Sequence, residues 1–342
     1  MQVRNERWLR IAVAAVTVGS LVGCRSGGSG GNAPRTSGTS ASGTSASASS
    51  GARPATIVAV TAAGAVVVLD SRDGHVVRRL VASGAGDRVA PSPDGKTVYY
   101  EKAKDECRDE IWRLPIGGGA PALVVRGGSP ALSQDGTRLA YVSQSLVRIP
   151  NFCKGTVAVA VRDLRTGRTT TYPVAPQLGS ELGEQVYADA VSWSPDGARL
   201  AVSYRWFETN GGNVRLLNVA KDRYYVLARD SGTLPLAQGV SDINYYPEGV
   251  YLPDGRLFVA RACCTGEPPE GPLSATLMIV DPANGAVIKK VATVNPKVAD
   301  AQRNLDADAS DRWMLFLSGT DLVVTDGVTT TTLAKGYRAA AW

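Results

Sequence analysis

Histidine is almost missing from these 342 residues: there is one, His75. A Ser-His-Asp triad, a His-based metal centre or an imidazole-dependent lyase needs that residue where the chemistry happens. His75 instead follows a tight Asp73-Gly74 turn, the place of a polar residue on an outer strand. No Gly-rich loop follows a strand and opens a helix, so the phosphate cradle of a nucleotide-binding protein is lacking. No run of Lys and Arg supplies the clustered basic surface that nucleic acid requires. After residue 22 no stretch keeps a 3.6-residue apolar period over ten residues, which excludes bundles and helical repeats. No pair of carboxylates stands at a spacing that marks acid–base work. The acidic cluster Asp306-Ala307-Asp308-Ala309-Ser310-Asp311 lacks the Gly and distal Glu of a calcium loop. No metal and no cofactor is expected.

What is present begins with Arg4, Arg7 and Arg10, followed by a twelve-residue apolar run, Ile11–Val22. The run is too short to span a bilayer and has the layout of a secretory signal. It ends in Leu21-Val22-Gly23-Cys24, which resembles the lipobox of bacterial lipoproteins. That resemblance implies cleavage after residue 23, a diacylglyceryl thioether on Cys24 and usually an acylated amine. Two or more acyl chains hold a protein stably on a membrane where one does not. The expected location is therefore the extracytoplasmic face of the cell membrane. Residues 24–54 are nearly all Ser, Gly, Thr and Ala and cannot bury enough surface to order themselves, so they read as a tether. Its typical reach is roughly 30 Å. The formal charge of +6 shrinks on this division: the signal carries +2 and the tether +3, leaving about +1 for residues 55–342. With 28 Arg against 9 Lys and abundant Ala and Gly, the composition fits a GC-rich genome such as an actinobacterium's.

The body is organised by a repeated turn. Val191-Ser192-Trp193-Ser194-Pro195-Asp196-Gly197-Ala198-Arg199-Leu200-Ala201-Val202 runs a short strand into a four-residue turn with Ser first, Pro second and Gly last, then into a second strand of period two. Ser92-Pro93-Asp94-Gly95, Ser133-Gln134-Asp135-Gly136 and Leu252-Pro253-Asp254-Gly255 repeat it, and Ser310-Asp311-Arg312 reads as a degenerate copy. The aspartates are 41, 61, 58 and 57 residues apart. Each turn precedes a second strand, a loop, a third strand, a tight turn and a fourth. Four antiparallel strands per repeat of this length describe a β-propeller blade. The chain ends in Tyr337–Trp342, which aligns with the innermost strand Ala188–Trp193, while Thr56–Thr61, Ala65–Asp70 and His75–Val81 read as strands two to four of a blade without a first. One blade is thus shared by both termini, closing an all-β ring of six and removing its exposed edges. The Trp-Ser-Pro-Asp-Gly…Leu-Ala pattern resembles the WD40-like repeats of the TolB C-terminal propeller over residues 55–342. TolB's N-terminal domain has no counterpart here, and the resemblance implies fold rather than function.

Four cysteines besides Cys24 remain in an oxidising compartment: Cys107, Cys153, Cys263 and Cys264. All fall in segments joining strands two and three, on one face of the propeller. Cys107 and Cys153 lie in adjacent blades and suit a bridge, leaving Cys263 with Cys264 in a strained vicinal pair; the alternative pairs Cys153 with one of those two. The same face carries the long connections: Ser143–Lys154, Val174–Tyr187, Arg205–Gly212, Arg229–Pro247, Ala262–Ser274 and Thr293–Asn304. They hold Phe152, Arg205, Trp206, Phe207, Tyr245 and Tyr246, residue types that anchor interfaces. The reading is a monomeric, membrane-anchored propeller that binds a protein or envelope polymer without chemistry. The rivals are a glycan or peptide hydrolase or lyase working through carboxylates, and an accessory or sensor subunit of a membrane partner. Raised-pKa carboxylates around the pore would favour an enzyme, an apolar aromatic mouth a binding protein.

Overall fold

The computed structural model describes residues 53–342 apart from 106, 150–151, 174–185, 207–211, 222, 226–243, 266–271 and 295–303. Among the described residues all regular structure is β. The first sheet contains β1 (Thr56–Thr61), β2 (Val66–Asp70) and β3 (Val76–Val81). The second holds β4 (Val89–Pro91), β5 (Thr97–Asp105), β6 (Arg108–Pro115) and β7 (Ala122–Arg126), and the third β8 (Gly128–Leu132), β9 (Arg138–Ile149), β10 (Phe152–Asp163) and β11 (Thr169–Pro173). The fourth holds β12 (Val186–Trp193), β13 (Arg199–Trp206), β14 (Gly212–Asn218) and β15 (Arg223–Tyr225), and the fifth β16 (Asn244–Tyr251), β17 (Leu257–Thr265), β18 (Pro272–Val280) and β19 (Val287–Val294). The sixth holds β20 (Asp306–Ala307), β21 (Met314–Ser318), β22 (Asp321–Thr325) and β23 (Thr330–Lys335). The last strand, β24 (Tyr337–Ala341), returns to the first sheet and pairs antiparallel with β1, Val58 opposite Ala341 and Ala59 opposite Ala340. The result is six four-stranded antiparallel blades with the expected clasp.

The core lies between blades, which explains why the middle strands are apolar on both faces. Along β1, Ile57 and Ala59 pack toward the sixth blade with Leu315 and Val324, while Val58 and Val60 pack toward the second with Val98 and Leu114. Leu139 and Tyr141 face the second blade, Ala140 and Val142 the fourth. Ala201 and Val214 join Leu257 and Val259 of the fifth, and Phe258 and Ile279 join Phe316 and Val323 of the sixth. Six clusters at six interfaces close the ring, so each strand's two-residue alternation serves two neighbours at once. Trp193 of the repeat motif is one such staple: it is buried between the third and fourth blades, donates Nε1–H to the Ala131 carbonyl (3.2 Å), and lies under the Arg138 guanidinium at 4.5 Å.

The repeated turn is fixed by its own side chains. In the three copies that begin with Ser, the Ser hydroxyl accepts the N–H five residues on (2.9 Å at Thr97, 3.0 Å at Arg138, 2.8 Å at Arg199) and donates to the turn aspartate at 2.6 Å. The turn glycines Gly95, Gly136, Gly197 and Gly255 have φ between 63° and 88°, a region costly for other residues. In the sixth blade the register differs from the expected one. Asp308 takes the serine's place, accepting from Trp313 N at 2.8 Å, Ser310 takes the aspartate's, and Asp311 stands where the others have Gly, at φ 59°. Asp311 Oδ1 is buried without a hydrogen-bond partner, and burial together with nearby Asp254 lifts its pKa to about 6. Asp311→Gly is therefore expected to stabilise the protein by about 1 kcal/mol at pH 7, read from chemical unfolding.

Several segments read as loops prove to be strand. β9 and β10 continue as one hairpin as far as Ile149 opposite Phe152, and β5–β6, β13–β14 and β17–β18 extend in the same way. Ladder hydrogen bonds need no buried face, so polar stretches such as Ser143-Gln144-Ser145 pair without the apolar alternation that marks a strand in sequence. Residues 174–185, 226–243 and 295–303, the connections between blades, lie outside the described residues.

Candidate functional site: an axial funnel

The six inner strands, β24, β4, β8, β12, β16 and β20, surround a cavity of ≈ 550 Å³ on the propeller axis. Its mouth is on the short-turn face. The second residue of each turn forms the rim, giving Pro93, Gln134, Pro195, Pro253 and Ala309, and the clasped blade adds Pro54 and Trp342. Gln134 is the one polar side chain in that ring. The turn chemistry explains the composition: position two favours Pro for its φ, and a ring of such turns makes an apolar annulus.

The inner end is polar. Arg88, just before β4, donates from Nη1 and Nη2 to Glu248 of β16 at 2.7 and 3.3 Å. These residues belong to the second and fifth blades, three places apart in a ring of six, so the pair crosses the axis. Glu248 also accepts the backbone N–H groups of Asn304 (2.7 Å) and Leu305 (3.2 Å), and its side chain is 2% exposed. Burial works against the charge on Arg88, but Glu248 more than offsets it and the guanidinium's pKa stays above its ordinary value. Nearby, Asp306 is desolvated strongly enough to raise its pKa to about 7, even though it accepts the Trp342 N–H at 2.8 Å. Two non-glycine residues at this end hold left-handed backbone: Ser129 at φ 53° and Asn304 at φ 67°. Each aims its N–H at a buried carboxylate, Ser129 at Glu101 (2.9 Å) and Asn304 at Glu248.

A second acidic group lies beside the second and third blades. Glu101 Oε2 and Asp109 Oδ2 converge over Gly128, where an added methyl would meet them at 2.7 and 3.4 Å. Burial raises both pKa values, that of Asp109 to about 7, with Glu101 adding like-charge repulsion. Neither residue lines the axial cavity. Among the described residues no group of three or more His, Cys, Asp or Glu is arranged to hold a metal ion.

The sequence-derived candidates are placed as follows. Arg205 and Trp206 end β13, and Tyr245 and Tyr246 lie near the start of β16, which carries an irregularity before Glu248. They occupy corresponding ends of adjacent blades, opposite the funnel mouth; their side chains, and Phe207 entirely, lie outside the described residues. Phe152 and Cys153 are in β10, and Cys263 and Cys264 are in β17, in strands rather than the expected loops, with side chains likewise outside the described residues. Cys107, buried at the β5–β6 turn, is disulfide-bonded, and its N–H donates to Asp105 at 3.0 Å. The expected pairing to Cys153 and the expected lipidation of Cys24 fall outside the described residues. His75 is exposed beside Asp73 at 2.6 Å. The sequence reading missed Arg88, Glu248 and Asn304, and weighed Asp306 only as part of an acidic cluster, not as a funnel residue. Its one available signal was a charge inside the otherwise apolar inner strand Tyr246-Pro247-Glu248-Gly249-Val250.

A closed six-bladed ring with an axial funnel defines the architecture, and solved structures share it. TolB from Acinetobacter baumannii matches with a TM-score of 0.54 at 15% identity, covering 84% of this chain and 65% of its own. A putative TolB from Agrobacterium tumefaciens matches with a TM-score of 0.50 at 14% identity, covering 71% of this chain and 83% of its own. Hydrazine synthase from Kuenenia stuttgartiensis gives 0.50 at 14% identity, over 78% and 75%. The chain thus spans just under two thirds of the Acinetobacter protein. At these identities the likeness is one of fold, and in fold this chain is a TolB-like propeller. No family model and no curated protein matches the sequence.

Proposed function

We propose that this protein is a non-catalytic binding module, a propeller held on the extracytoplasmic face of the membrane through Cys24, whose axial funnel receives an apolar segment of a protein or envelope ligand. The carrying observation is the funnel itself: an apolar, proline-rich rim over a floor where Arg88 and Glu248 are committed to each other. A concave pocket of about this size, apolar at its rim and polar at its floor, suits binding. A hydrolase or lyase reading would draw on Glu101 and Asp109, since carboxylates with raised pKa are what acid–base catalysis uses. Those two lie away from the cavity, and Glu101 is occupied by the Ser129 N–H. Asp306, also raised, does line the cavity, but it accepts the Trp342 N–H. The carboxylate that lines the cavity with it, Glu248, is held by Arg88 and two backbone N–H groups, so binding is the better-supported reading.

The test is photo-crosslinking in intact cells, with a benzophenone amino acid at Pro195 of the full chain and at the exposed Val328 as control. An adduct is expected from position 195 only, falling at least tenfold when Pro93 and Pro253 are both changed to Glu. An adduct that survives this charge ring, or that forms equally from position 328, overturns the funnel as the binding site.

A further inference from the structure

The chain joins the propeller at the rim of the funnel. Pro54 and Thr56 line the cavity beside Trp342. Ser71, in the β2–β3 turn, holds this junction twice: its hydroxyl donates to the Pro54 carbonyl and its N–H to the Ala55 carbonyl at 3.0 Å. One residue earlier, the Arg53 guanidinium lies 5.1 Å from the Trp313 ring and 6.0 Å from the Trp342 ring. Burial lowers its pKa, with Asp70 acting against the shift. Arg53 and Pro54, which composition places in the tether, are thus built into the short-turn face. Arg53 and Pro54 therefore lie on the mouth side, while the hairpins point the other way. The length of β9 alone separates the two faces by roughly 40 Å, at about 3.3 Å per residue.

Resting on the reading of Cys24 as the lipidated residue, we infer that the funnel mouth is the membrane-proximal face and that its occupant is an extended apolar segment of a protein embedded in the same membrane. The composition of residues 24–52 is that of a tether with an expected reach of roughly 30 Å, so on this reading the mouth works within a gap of that order above the bilayer. A soluble partner arriving from outside meets the hairpin face first, whereas a juxtamembrane segment of an integral protein already occupies the gap. The bilayer itself is a poorer occupant. The turns around the rim carry Asp94, Asp135 and Asp196, whose pKa values are lowered chiefly by the serine hydroxyls beside them, so they stay charged. The cations next in sequence are paired, Lys96 with Asp94 at 4.0 Å and Arg256 with Asp254. The ring therefore offers lipid headgroups no excess of positive charge.

The experiment uses the full chain with a protease site inserted between Ser50 and Gly51, and a benzophenone amino acid at Pro195, at Gln134 as a second mouth position, or at the exposed hairpin residue Ser145. Membranes are irradiated, cleaved and washed, and the propeller is assayed in the pellet. Retention of the propeller crosslinked at 195 or 134, with release at least tenfold more complete for 145, is the expected result. Release from the mouth positions as complete as from 145, retention only from 145, or an adduct of lipid mass in place of protein overturns the inference. Cys24→Ala, examined without irradiation, separates the two claims. Its loss to the soluble fraction is expected. If it stays in the membrane, the anchoring reading fails and takes this inference with it, while the funnel as a binding site is still judged by the charge-ring variant.

Discussion

Replacing Glu248 with alanine is expected to cost the propeller about 3–5 kcal/mol, the effect of leaving one partner of a buried ion pair alone. Arg88 would remain largely buried and facing the gap, and the N–H groups of Asn304 and Leu305 would lose their acceptor. Arg88→Met should cost less, because Glu248 keeps both backbone donors. The double variant Arg88→Met/Glu248→Leu should fall between the two. It removes the stranded charge but still orphans two buried N–H groups, each worth about 1–3 kcal/mol. Denaturant unfolding of the four proteins measures the order directly. Equal costs for the two single variants, within about 0.5 kcal/mol, would mean that the axial pair and its backbone donors are not coupled as the geometry requires. The consequence reaches beyond stability. The pair joins opposite blades across the axis, so it sets both the bore of the funnel and the depth to which a bound segment can run.

The blade count was legible because its determinants are local. Ser-Pro-Asp-Gly encodes a turn through Pro φ, Gly at positive φ and a serine–aspartate hydrogen bond, all within six residues, and four recognisable copies with a degenerate fifth give the ring. The clasp was legible because Tyr337–Trp342 supplies the strand that the N-terminal blade lacks. The hairpin extensions were not, since Ser, Gln and Thr in a solvent-facing ladder carry no apolar alternation. The sixth-blade turn was misaligned because Asp308 and Ser310 exchange the donor and acceptor roles that Ser92 and Asp94 play, which preserves the hydrogen bond while shifting the sequence match. The axial lock was out of reach: Arg88 and Glu248 are 160 residues apart and meet only when the ring is closed. The funnel mouth was hidden in plain view. The prolines were read as turn formers, which they are, and their second role appears only when the turns are set in a circle.

Raising the pH from about 5 to about 8 is expected to weaken the fold, and Asp306→Asn should remove much of that dependence. Burial lifts the Asp306 pKa from an unfolded value of 3.8 to about 7, so between those limits the native state holds a proton that the unfolded chain has released. Stability therefore falls as pH rises through that window and levels off above pH 7. Asp109, also raised to about 7, acts in the same sense. The turn aspartates act in the opposite sense: Asp135, lowered to about 2 by its serine and threonine partners, contributes stability that is lost only as pH falls below 3.8. The stability maximum should consequently lie on the acid side of neutrality, near pH 4–5. Asparagine at 306 can still accept the Trp342 N–H and closes the clasp without a charge to bury. The advantage of the variant over the parent should widen by about 2–3 kcal/mol between pH 5 and pH 8, from roughly 1.4 kcal/mol per pKa unit over the two units below pH 7. Urea unfolding at both pH values measures it. A constant difference would show that Asp306 is ionised in the native protein at pH 5, and the polar end of the funnel would then carry a full negative charge that any bound segment must match.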